Sequence, residues 1–559
     1  MLRPVVPGEV PSDTFDLAWR VHPKGTAEMR VRDALGPLFR DEDFQRECFA
    51  GMFSDLGQPG LSPGVLAMVT VLQFLYNLSD REAVAAIADR ISWKYALGVS
   101  LDGRGFDPSV LSEFRARLAG PGRADGLLDV VLDRLKEAGL VRAGGRARTD
   151  STHVIAAVRR LGRIELVGES VRAALEEIAG ISENWIVPLL DAGWHERYGR
   201  KVELARLLGR GGRKTTAEKL AAQIAADGQA LLAAIEADRT AAWLRELPRV
   251  VILRKVWDQQ FKPVPGGGLV LKGDTELAAS AQRIHSPYDP EARYSSKAAG
   301  TKWVGSKAHL TESCDLGLPH VITDVHTAEA TCHDATATTP IQDKLIARGL
   351  RPATHLVDAG YSSAGNFADS GLRGITLIAP VVVATGHNAK NGTFNLADFD
   401  VDWERGVARC PNGAESHPMR PVKQGKLAFG FATGDCVPCP IRAQCTQIAN
   451  PKIARTFTTH PEPVHKSRIE AYRAQDTTAW RTQYNARAGI EGTISEAVRR
   501  SDLRKSRYCG LAKAHVQNIA TGLAINVHRL GAYLGPTIAP RRPSRVHQLC
   551  VANGIINET

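Results

Sequence analysis

Five polar residues in this sequence have the types that phosphate and metal chemistry requires. Three of them, Tyr484, Arg487 and Glu491, lie within the string YNARAGIE. Spacings of three and four residues would place their side chains on one face of a helix. The other two are Asp150, in RARTDSTHV, and Asp358, in THLVDAGYSS. An arginine beside a glutamate suits a site that grips phosphate and holds a metal ion, provided that further carboxylates come from elsewhere in the fold.

The carboxylates indicate which metal and which reaction to expect. Hard divalent ions prefer carboxylate oxygens, so Asp150, Asp358 and Glu491 are candidate ligands of two Mg²⁺ (or Mn²⁺) ions. Two such ions stabilise the attacking and leaving oxygens of an in-line displacement at a phosphodiester. Arg487 would hold a phosphate or orient Glu491, and Tyr484 would pack or hydrogen-bond against the phosphodiester backbone of the substrate. Each acid taken alone is more often a helix cap or a surface ion-pair partner, because the chain has 60 acidic residues.

The elements around the two aspartates predict how they meet. A strand rich in β-branched residues carries Asp150, and strands resume at Thr301. From there the pattern predicts two strands, a helix, the strand ending near Asp358, another helix and an apolar strand. This order is that of a ribonuclease H-like core within a mixed α/β (α+β) fold. Asp150 would lie on the first strand and Asp358 at the end of the fourth. Because those strands would be neighbours, both side chains can approach one ion, and the helix bearing Glu491 completes the site.

The chain is long enough for several domains. We expect an all-α, DNA-binding-like N-terminal domain over 1–125, in which Ser79 and Glu82 form a capping box. A helix-turn-helix and an ordinary helical bundle are both compatible with its pattern. The first part of the ribonuclease H-like core would span 140–383, and a helical insertion at about 160–285 would interrupt it. A cysteine-rich insertion at 384–480, the C-terminal core helices at 481–535 and a flexible tail at 536–559 follow.

A repeat of apolar residues marks the helical insertion. Leu220, Ile224, Leu231 and Ile235 recur at heptad-like spacing on one helical face. We interpret this face as the core of a small helical subdomain, and a coiled-coil contact is the alternative.

Four cysteines in the second insertion form a candidate metal site. Cys436 and Cys439 make a Cys-x2-Cys pair, with Cys445 and Cys410 nearby in sequence. Four thiolates fit a structural Zn²⁺ ion, which would fold an insertion that has little apolar core of its own. An iron–sulfur cluster and unligated buried cysteines are the alternatives.

Charge and composition bear on partners and location. The formal net charge is +11, which is compatible with a polyanionic partner. A basic cluster close to Glu491 is a candidate DNA contact, and a solvated charged face is the alternative; its members are Arg499, Arg500, Arg504, Lys505 and Arg507. Nine cysteines, no secretory signal and no apolar run long enough for a bilayer predict a soluble cytoplasmic protein.

The local strings together resemble a known family. In chain order they are GQPGLSPGVLAMVTVLQFLYNLSDREA, LSEFRARL, TDSTHV, SPYDPEARYSSK, KWVGSKAHL, VDAGYSS, YNARAGIE and LRKSRYCGLAKAHVQNIATGLAINVHRL. From about Gly57 to Gly535 the chain is similar to the DDE transposases of bacterial insertion sequences, which join an N-terminal helical domain to a ribonuclease H-like core.

The resemblance implies roles for particular residues. The family's three acids fall on Asp150, Asp358 and Glu491, and its Tyr-x2-Arg-x3-Glu signature falls on Tyr484, Arg487 and Glu491. The family's signature lysine is replaced here by Val498, so no lysine role is carried over.

The resemblance also implies an activity and partners. The protein would bind terminal inverted repeats of double-stranded DNA as a homodimer in the nucleoid, without a membrane. It would cleave the DNA and transfer the cut strands. A metal-dependent nuclease that does not join strands, and an inactive DNA-binding derivative, are the alternatives.

Three strand residues, His153, Lys307 and His309, would border the same cleft. We interpret them as structural, because histidines in strands are more often satisfied polar residues than catalytic ones. Asp334, next to His333, resembles an acid–base or metal residue but has no role under the resemblance.

Overall fold

The computed structural model describes residues 9–53, 60–159, 161–208, 214–265, 267–297, 300–383, 394–446, 450, 452–536 and 545–553. The chain divides into two compact units. The first comprises Met1–Phe114, Val130–Leu140 and Leu523–Thr559, and the second comprises Arg115–Asp129 and Val141–Gly522.

The first unit is helical. Ser79 caps its helix as predicted, because its hydroxyl accepts a hydrogen bond from the Glu82 N–H while the Glu82 carboxylate accepts one from the Ser79 N–H. The core includes the fully buried Trp93 and Met29. The helices wholly within this unit are Ser12–Val21, Ala27–Leu35, Pro63–Leu75, Asp80–Asp89, Ile91–Leu97 and Arg545–Ala552. Three helices cross the division between the units: Ser109–Leu118, Arg123–Glu137 and Leu511–Tyr533.

A six-stranded mixed sheet forms the centre of the second unit. Its strands are β1 (Arg146–Ile155), β4 (Arg293–Ser296), β5 (Lys302–Ser313), β6 (Ile322–Glu329), β7 (Thr354–Leu356) and β8 (Thr376–Ile378), with the short strands β2 (Phe261–Pro263) and β3 (Leu269–Leu271) outside it. The order is β4-β5-β1-β7-β8, and β6 also pairs with β5. β1 is antiparallel to β5 and parallel to β7. A helical N-terminal region followed by a mixed helix and strand region is therefore confirmed.

The helical insertion separates β1 from β4. Its helices are Arg163–Ile181, Glu183–Ile186, Ala192–Tyr198, Leu204–Leu208, Lys214–Ala237 and Pro248–Gln260. The heptad-like face lies on Lys214–Ala237, where Ile224, Leu231 and Ile235 are 0% exposed and pack into one core cluster with the neighbouring helices of the insertion. This face is thus covered from within the insertion, as expected for a small helical subdomain.

The cysteine-rich insertion contains short strands and an aromatic core. Its strands are β9 (Asp400–Asp402), β10 (Val407–Arg409), β11 (Arg420–Val422), β12 (Lys426–Gly430) and β13 (Thr456–Thr459), and its short helices are Thr433–Cys436 and Arg442–Cys445. The expectation of little apolar core is wrong, because Phe399, Phe429 and Phe457 are buried. The ring centre of Phe457 lies 4.8 Å from that of Phe399 and 5.2 Å from that of Phe429. They share a core cluster with Val357 and Tyr361, which follow β7 of the central sheet.

The helices that flank the sheet are Thr338–Ala347, Ala364–Leu372, Glu462–Ala474, Thr478–Asn485 and Gly489–Ser501. The string YNARAGIE does not form one uninterrupted α-helix, because Ala486–Ala488 is a 3₁₀ turn between two α-helices. In the segment predicted to be a flexible tail, residues 537–544 and 554–559 lie outside the described part of the chain. No helix among the described residues is both long enough and apolar enough to cross a bilayer.

Candidate active site

The central strands bring the two aspartates together. Asp150 lies in the middle of β1, opposite Leu310 of β5. β7 pairs in parallel with Arg146–Arg148 of β1, and Asp358 follows two residues after β7 ends. The Asp358 carboxylate accepts a hydrogen bond of 2.8 Å from the Gly360 N–H, and its negative charge acts on Asp150. The two acids are thus carried by neighbouring strands of the sheet.

Arg487 connects the third acid to the first. Its guanidinium donates to Glu491 Oε1 at 2.6 Å and to Asp150 Oδ2 at 3.4 Å. The guanidinium carbon also lies 5.8 Å from the centre of the Tyr484 ring. The Tyr484 ring stacks on Trp480 at 4.6 Å, and both rings pack against apolar residues of the sheet. The 3₁₀ turn therefore leaves Tyr484, Arg487 and Glu491 on the same side, with Tyr484 supporting the arginine.

The electrostatics of this group favour a bound cation. The pKa of Asp150 is raised to about 6, because burial and the nearby Asp358 together outweigh the hydrogen bond from the Ser151 N–H and the charges of Arg487 and Lys297. Arg487 now supplies positive charge between Asp150 and Glu491, where carboxylates of this kind would otherwise hold a divalent ion. In the described part of the chain no three acidic, histidine or cysteine side chains are already arranged as a metal site. The Glu491 side chain is 61% exposed, so it has room to rotate away from Arg487.

The raised pKa of Asp150 gives a testable pH dependence of stability. Without metal, the folded state holds the proton with a pKa of about 6 whereas the ordinary value is 3.8. The stabilisation from this proton is therefore present below pH 4 and is lost as the pH rises through 6. We expect the free energy of unfolding of the wild type, measured with urea in EDTA, to fall by about 3 kcal/mol relative to Asp150→Asn across that window. A difference that does not change with pH would contradict the assignment.

A second polar network lies beside the two aspartates and was not assigned from the sequence. Asp334 accepts hydrogen bonds from Lys307 Nζ at 2.8 Å and from the Ser151 hydroxyl at 3.2 Å. A Cβ built on Gly360 would lie 3.0 Å from an Asp358 oxygen and 3.4 Å from an Asp334 oxygen, so the two carboxylates border the same glycine. Burial opposes the ionised form of Asp334, but the hydrogen bond and charge of Lys307, the nearby His309 and the Ser151 hydroxyl together lower the pKa of Asp334. The pairing of His333 with Asp334 in the sequence was the available signal.

The two strand histidines contact aromatic side chains. His309 is 1% exposed and its Nδ1 lies 2.6 Å from the Tyr361 hydroxyl. Burial lowers the pKa of His309 to about 3. His153 lies with its ring centre 5.4 Å from that of Trp303, and burial lowers its pKa as well.

A buried ion pair links the strands to the helix that carries Glu491. Arg148 Nε donates to Glu312 Oε1 at 2.6 Å, and the two side chains are 8% and 0% exposed. The other Glu312 oxygen accepts from the Thr493 hydroxyl at 2.7 Å. Arg148 also donates to the backbone carbonyl of Ala486 at 2.6 Å, and any side chain at Gly489 would overlap its guanidinium. These contacts, which no sequence pattern indicated, fix the start of the Glu491 helix against β1.

The basic residues after Glu491 differ in their surroundings. Arg500 pairs with Glu496 at 3.5 Å and Lys505 pairs with Asp502 at 3.0 Å. Arg499 bonds to the Ser495 carbonyl, and the backbone N–H of Arg507 donates to Gln517. Arg504 donates from Nε to the Thr152 hydroxyl at 3.0 Å. Of the five, the side chain of Arg504 contacts the strand that bears Asp150.

The four cysteines are neighbours. Burial raises the pKa of the Cys445 thiol, and the proximity of Cys436, Cys410 and Cys439 raises it further against the charge of Arg455. Backbone hydrogen bonds form a turn from Cys410 to Ala414. The other three cysteines thus lie within electrostatic range of Cys445, although among the described residues no three such side chains are arranged as a metal site.

Two family models match the chain. Residues 25–117 match the family described as "Transposase domain (DUF772)", and residues 409–531 match the family described as "Transposase DDE domain". The second match contains Arg487, Glu491 and the four clustered cysteines, whereas Asp150 and Asp358 lie in neither matched segment. The chain matches no curated protein and no solved structure.

Proposed function

We propose, on the premise that this chain belongs to the DDE transposases, that it cuts double-stranded DNA at terminal inverted repeats and transfers the cut strands to target DNA. DNA transposition by a catalytic domain is what membership implies, and the finer steps are our proposal. The observation that supports it most is the pair of hydrogen bonds from Arg487 to Asp150 and Glu491. Together with the charge of Asp358 acting on Asp150, these contacts support a site of three acids and one phosphate-binding group.

In the proposed reaction Asp150, Asp358 and Glu491 would hold divalent ions, whose chemistry would be to stabilise the negative charge on the attacking and leaving oxygens. Glu491 turns from Arg487 toward the aspartates when these ligands assemble. Arg487 is then released to bind a non-bridging phosphate oxygen. Tyr484 keeps the guanidinium in place through its ring face. The same residues serve hydrolysis and strand transfer, because only the attacking oxygen changes, from water to a 3′ hydroxyl.

We further propose that the central sheet is a ribonuclease H-like core and that the helical N-terminal domain, 1–125, recognises the terminal repeats. The antiparallel β1–β5–β6 strands and the parallel β1–β7–β8 strands support the first proposal. The transposase-domain match at 25–117 supports the second. A homodimer on DNA would bring two such sites to the two ends of the element.

Supplying Mg²⁺ and labelled DNA that carries the element's ends, with a target plasmid, tests the function. We expect cleaved ends and end–target joined products on denaturing gels. Cleaved ends without joined products would favour the metal-dependent nuclease. Specific binding of the ends without cleaved or joined products would favour an inactive derivative. The presence of all three acids argues against that alternative.

We propose a structural Zn²⁺ ion at Cys410, Cys436, Cys439 and Cys445, since four neighbouring thiols supply its preferred donors. Elemental analysis of purified protein should find about one zinc per chain, and Cys436→Ser with Cys439→Ser should remove it. Because aromatic residues already pack this insertion, the double variant should lose zinc without unfolding the central sheet. Zinc-free wild-type protein, or iron with sulfide in its place, would contradict this assignment.

A further inference from the structure

The segment after the Glu491 helix is attached to the end of β1 through a single parallel β-bridge between Ile155 and Lys505. The Ile155 N–H donates to the Arg504 carbonyl at 2.7 Å, and the Ser506 N–H donates to the Ile155 carbonyl at 2.8 Å. The Gln517 side chain braces the segment by donating to the Lys505 carbonyl at 2.8 Å and accepting from the Arg507 N–H at 2.8 Å. The position of Arg504 relative to β1 is therefore fixed by backbone contacts.

The side chain of Arg504 contacts β1 two residues away from Asp150. Its Nε donates to Thr152 Oγ1 at 3.0 Å. Thr152 and Asp150 are two residues apart, and the register of β1 with β5 is unbroken between them. Their side chains therefore lie on one face of the strand, roughly 7 Å apart. Among the described residues Arg504 makes no ion pair, unlike Arg487, Arg500 and Lys505, so its two terminal nitrogens remain available to a ligand.

A second cation approaches from the turn between β4 and β5. Lys297 follows β4, and its backbone N–H donates to the Thr301 carbonyl at 2.9 Å. Within the described part of the chain its ammonium group has no carboxylate partner. The same hairpin carries Trp303, whose ring contacts His153. The charges of Lys297 and Arg504 both act on His153, and that of Lys297 also acts on Asp150, so both cations lie within electrostatic range of β1.

We propose that Arg504 and Lys297 bind one phosphodiester of the DNA strand beside Asp150, toward the Ile155 end of β1. We call this pair and Thr152 the phosphate cleft. The inference rests on the proposed function, because the phosphate cleft would direct the DNA strand past the acids of the same active site. An arginine tethered at Nε offers two parallel N–H groups, which match two oxygens of a phosphate. Because neither cation is paired with a carboxylate among the described residues, the cleft carries a positive charge, opposite to that of the DNA strand.

The phosphate cleft differs in its effects from a basic surface that merely attracts DNA. A surface contact contributes to affinity and to its salt dependence, at about one unit of slope per phosphate. A contact that positions the reacting strand also affects the rate once the protein is saturated with DNA. The rate at saturation is therefore the informative quantity.

The test uses the full chain with Mg²⁺ and end DNA in which single phosphates near the cut are replaced by neutral methylphosphonates. Single-turnover cleavage is measured at saturating protein for the wild type, Arg504→Gln and Lys297→Gln. Arg420→Gln and Lys423→Gln, exposed cations on β11 and in the turn after it, are the matched controls. We expect a loss of about 100-fold for Arg504→Gln and about 10-fold for Lys297→Gln, with less than about 3-fold for the controls.

At one position, a methylphosphonate should slow cleavage by the wild type strongly. The same substitution should slow cleavage by Arg504→Gln only slightly more, because this variant has already lost the contact with that phosphate. Thr152→Val, which keeps the charge of Arg504 but removes its tether, should give a smaller loss. Saturated cleavage by Arg504→Gln at the rate of the controls, or equal slowing of both proteins at every position, would overturn the phosphate cleft. Failure of the wild type itself to cleave would instead refute the proposed function.

Discussion

Replacing Asp150 or Asp358 by alanine should lower cleavage of end DNA by at least about a thousandfold while leaving end binding largely intact. A thousandfold corresponds to roughly 4 kcal/mol of transition-state stabilisation, which is a reasonable loss when a ligand of catalytic metal ions is removed. Glu491→Ala should behave in the same way, because its carboxylate completes the set although it now bonds to Arg487. Cleavage is measured in single turnover with Mg²⁺, and binding by gel shift with Ca²⁺.

The folded state gives these variants a clear control. Ionised Asp150 is partly buried beside Asp358, so Asp150→Ala removes a repulsion and should not destabilise the metal-free protein. Glu470→Ala, an exposed acid on the helix Glu462–Ala474, should cleave normally. Full cleavage by any one of the three active-site variants would remove that residue from the site.

Replacing Glu312 by alanine should destabilise the protein by about 3–5 kcal/mol, because it leaves the Arg148 guanidinium buried without its counter-ion. Glu312 is 0% exposed and also accepts the Thr493 hydroxyl, so a second buried group loses its partner. The free energy of unfolding is measured with urea on the full chain. Cleavage should fall as well, since Arg148 holds the Ala486 carbonyl next to Arg487.

A surface ion pair with a similar distance between its charged atoms is the control, because it has the same charges as the Arg148–Glu312 pair but is not buried. Arg373 bonds to Asp343 at 2.7 Å, but the Asp343 side chain is 55% exposed. Asp343→Ala should therefore cost less than about 1 kcal/mol. The double variant Arg148→Met with Glu312→Leu should recover much of the stability lost in Glu312→Ala, because it removes both buried charges. Equal costs for Glu312→Ala and Asp343→Ala would show that the Arg148 pair does not hold the helix.

Much of the central sheet was predictable from the sequence because its signals are local. The β-branched run around Asp150 predicted β1, and the alternation of strand and helix patterns placed Asp358 beside it. The parallel pairing of β1 with β7 then followed from the order of the elements. Ser79 and Glu82 were equally predictable, because a capping box involves residues three positions apart.

Contacts between distant residues were not predictable. Arg148 and Glu312 are separated by 164 positions, and neither stands out among the charged residues of the chain. Their pairing also explains why YNARAGIE departs from one α-helix, since Arg148 takes the Ala486 carbonyl and occupies the space above Gly489. The aromatic core of the cysteine-rich insertion was missed for a related reason, because its phenylalanines are spread over short strands and meet only in the fold.

The central claim, that the three acids hold the metal ions which cut DNA, is tested most directly by changing one ligand and the metal together. Asp358→Cys replaces a carboxylate by a thiolate, which Mg²⁺ binds poorly and softer ions accept more readily. Single-turnover cleavage of end DNA by this variant should be absent in Mg²⁺ and should recover in Mn²⁺, whereas Asp358→Ala should be inactive in both. Equal activity of Asp358→Cys in both metals, at the wild-type rate, would contradict the claim.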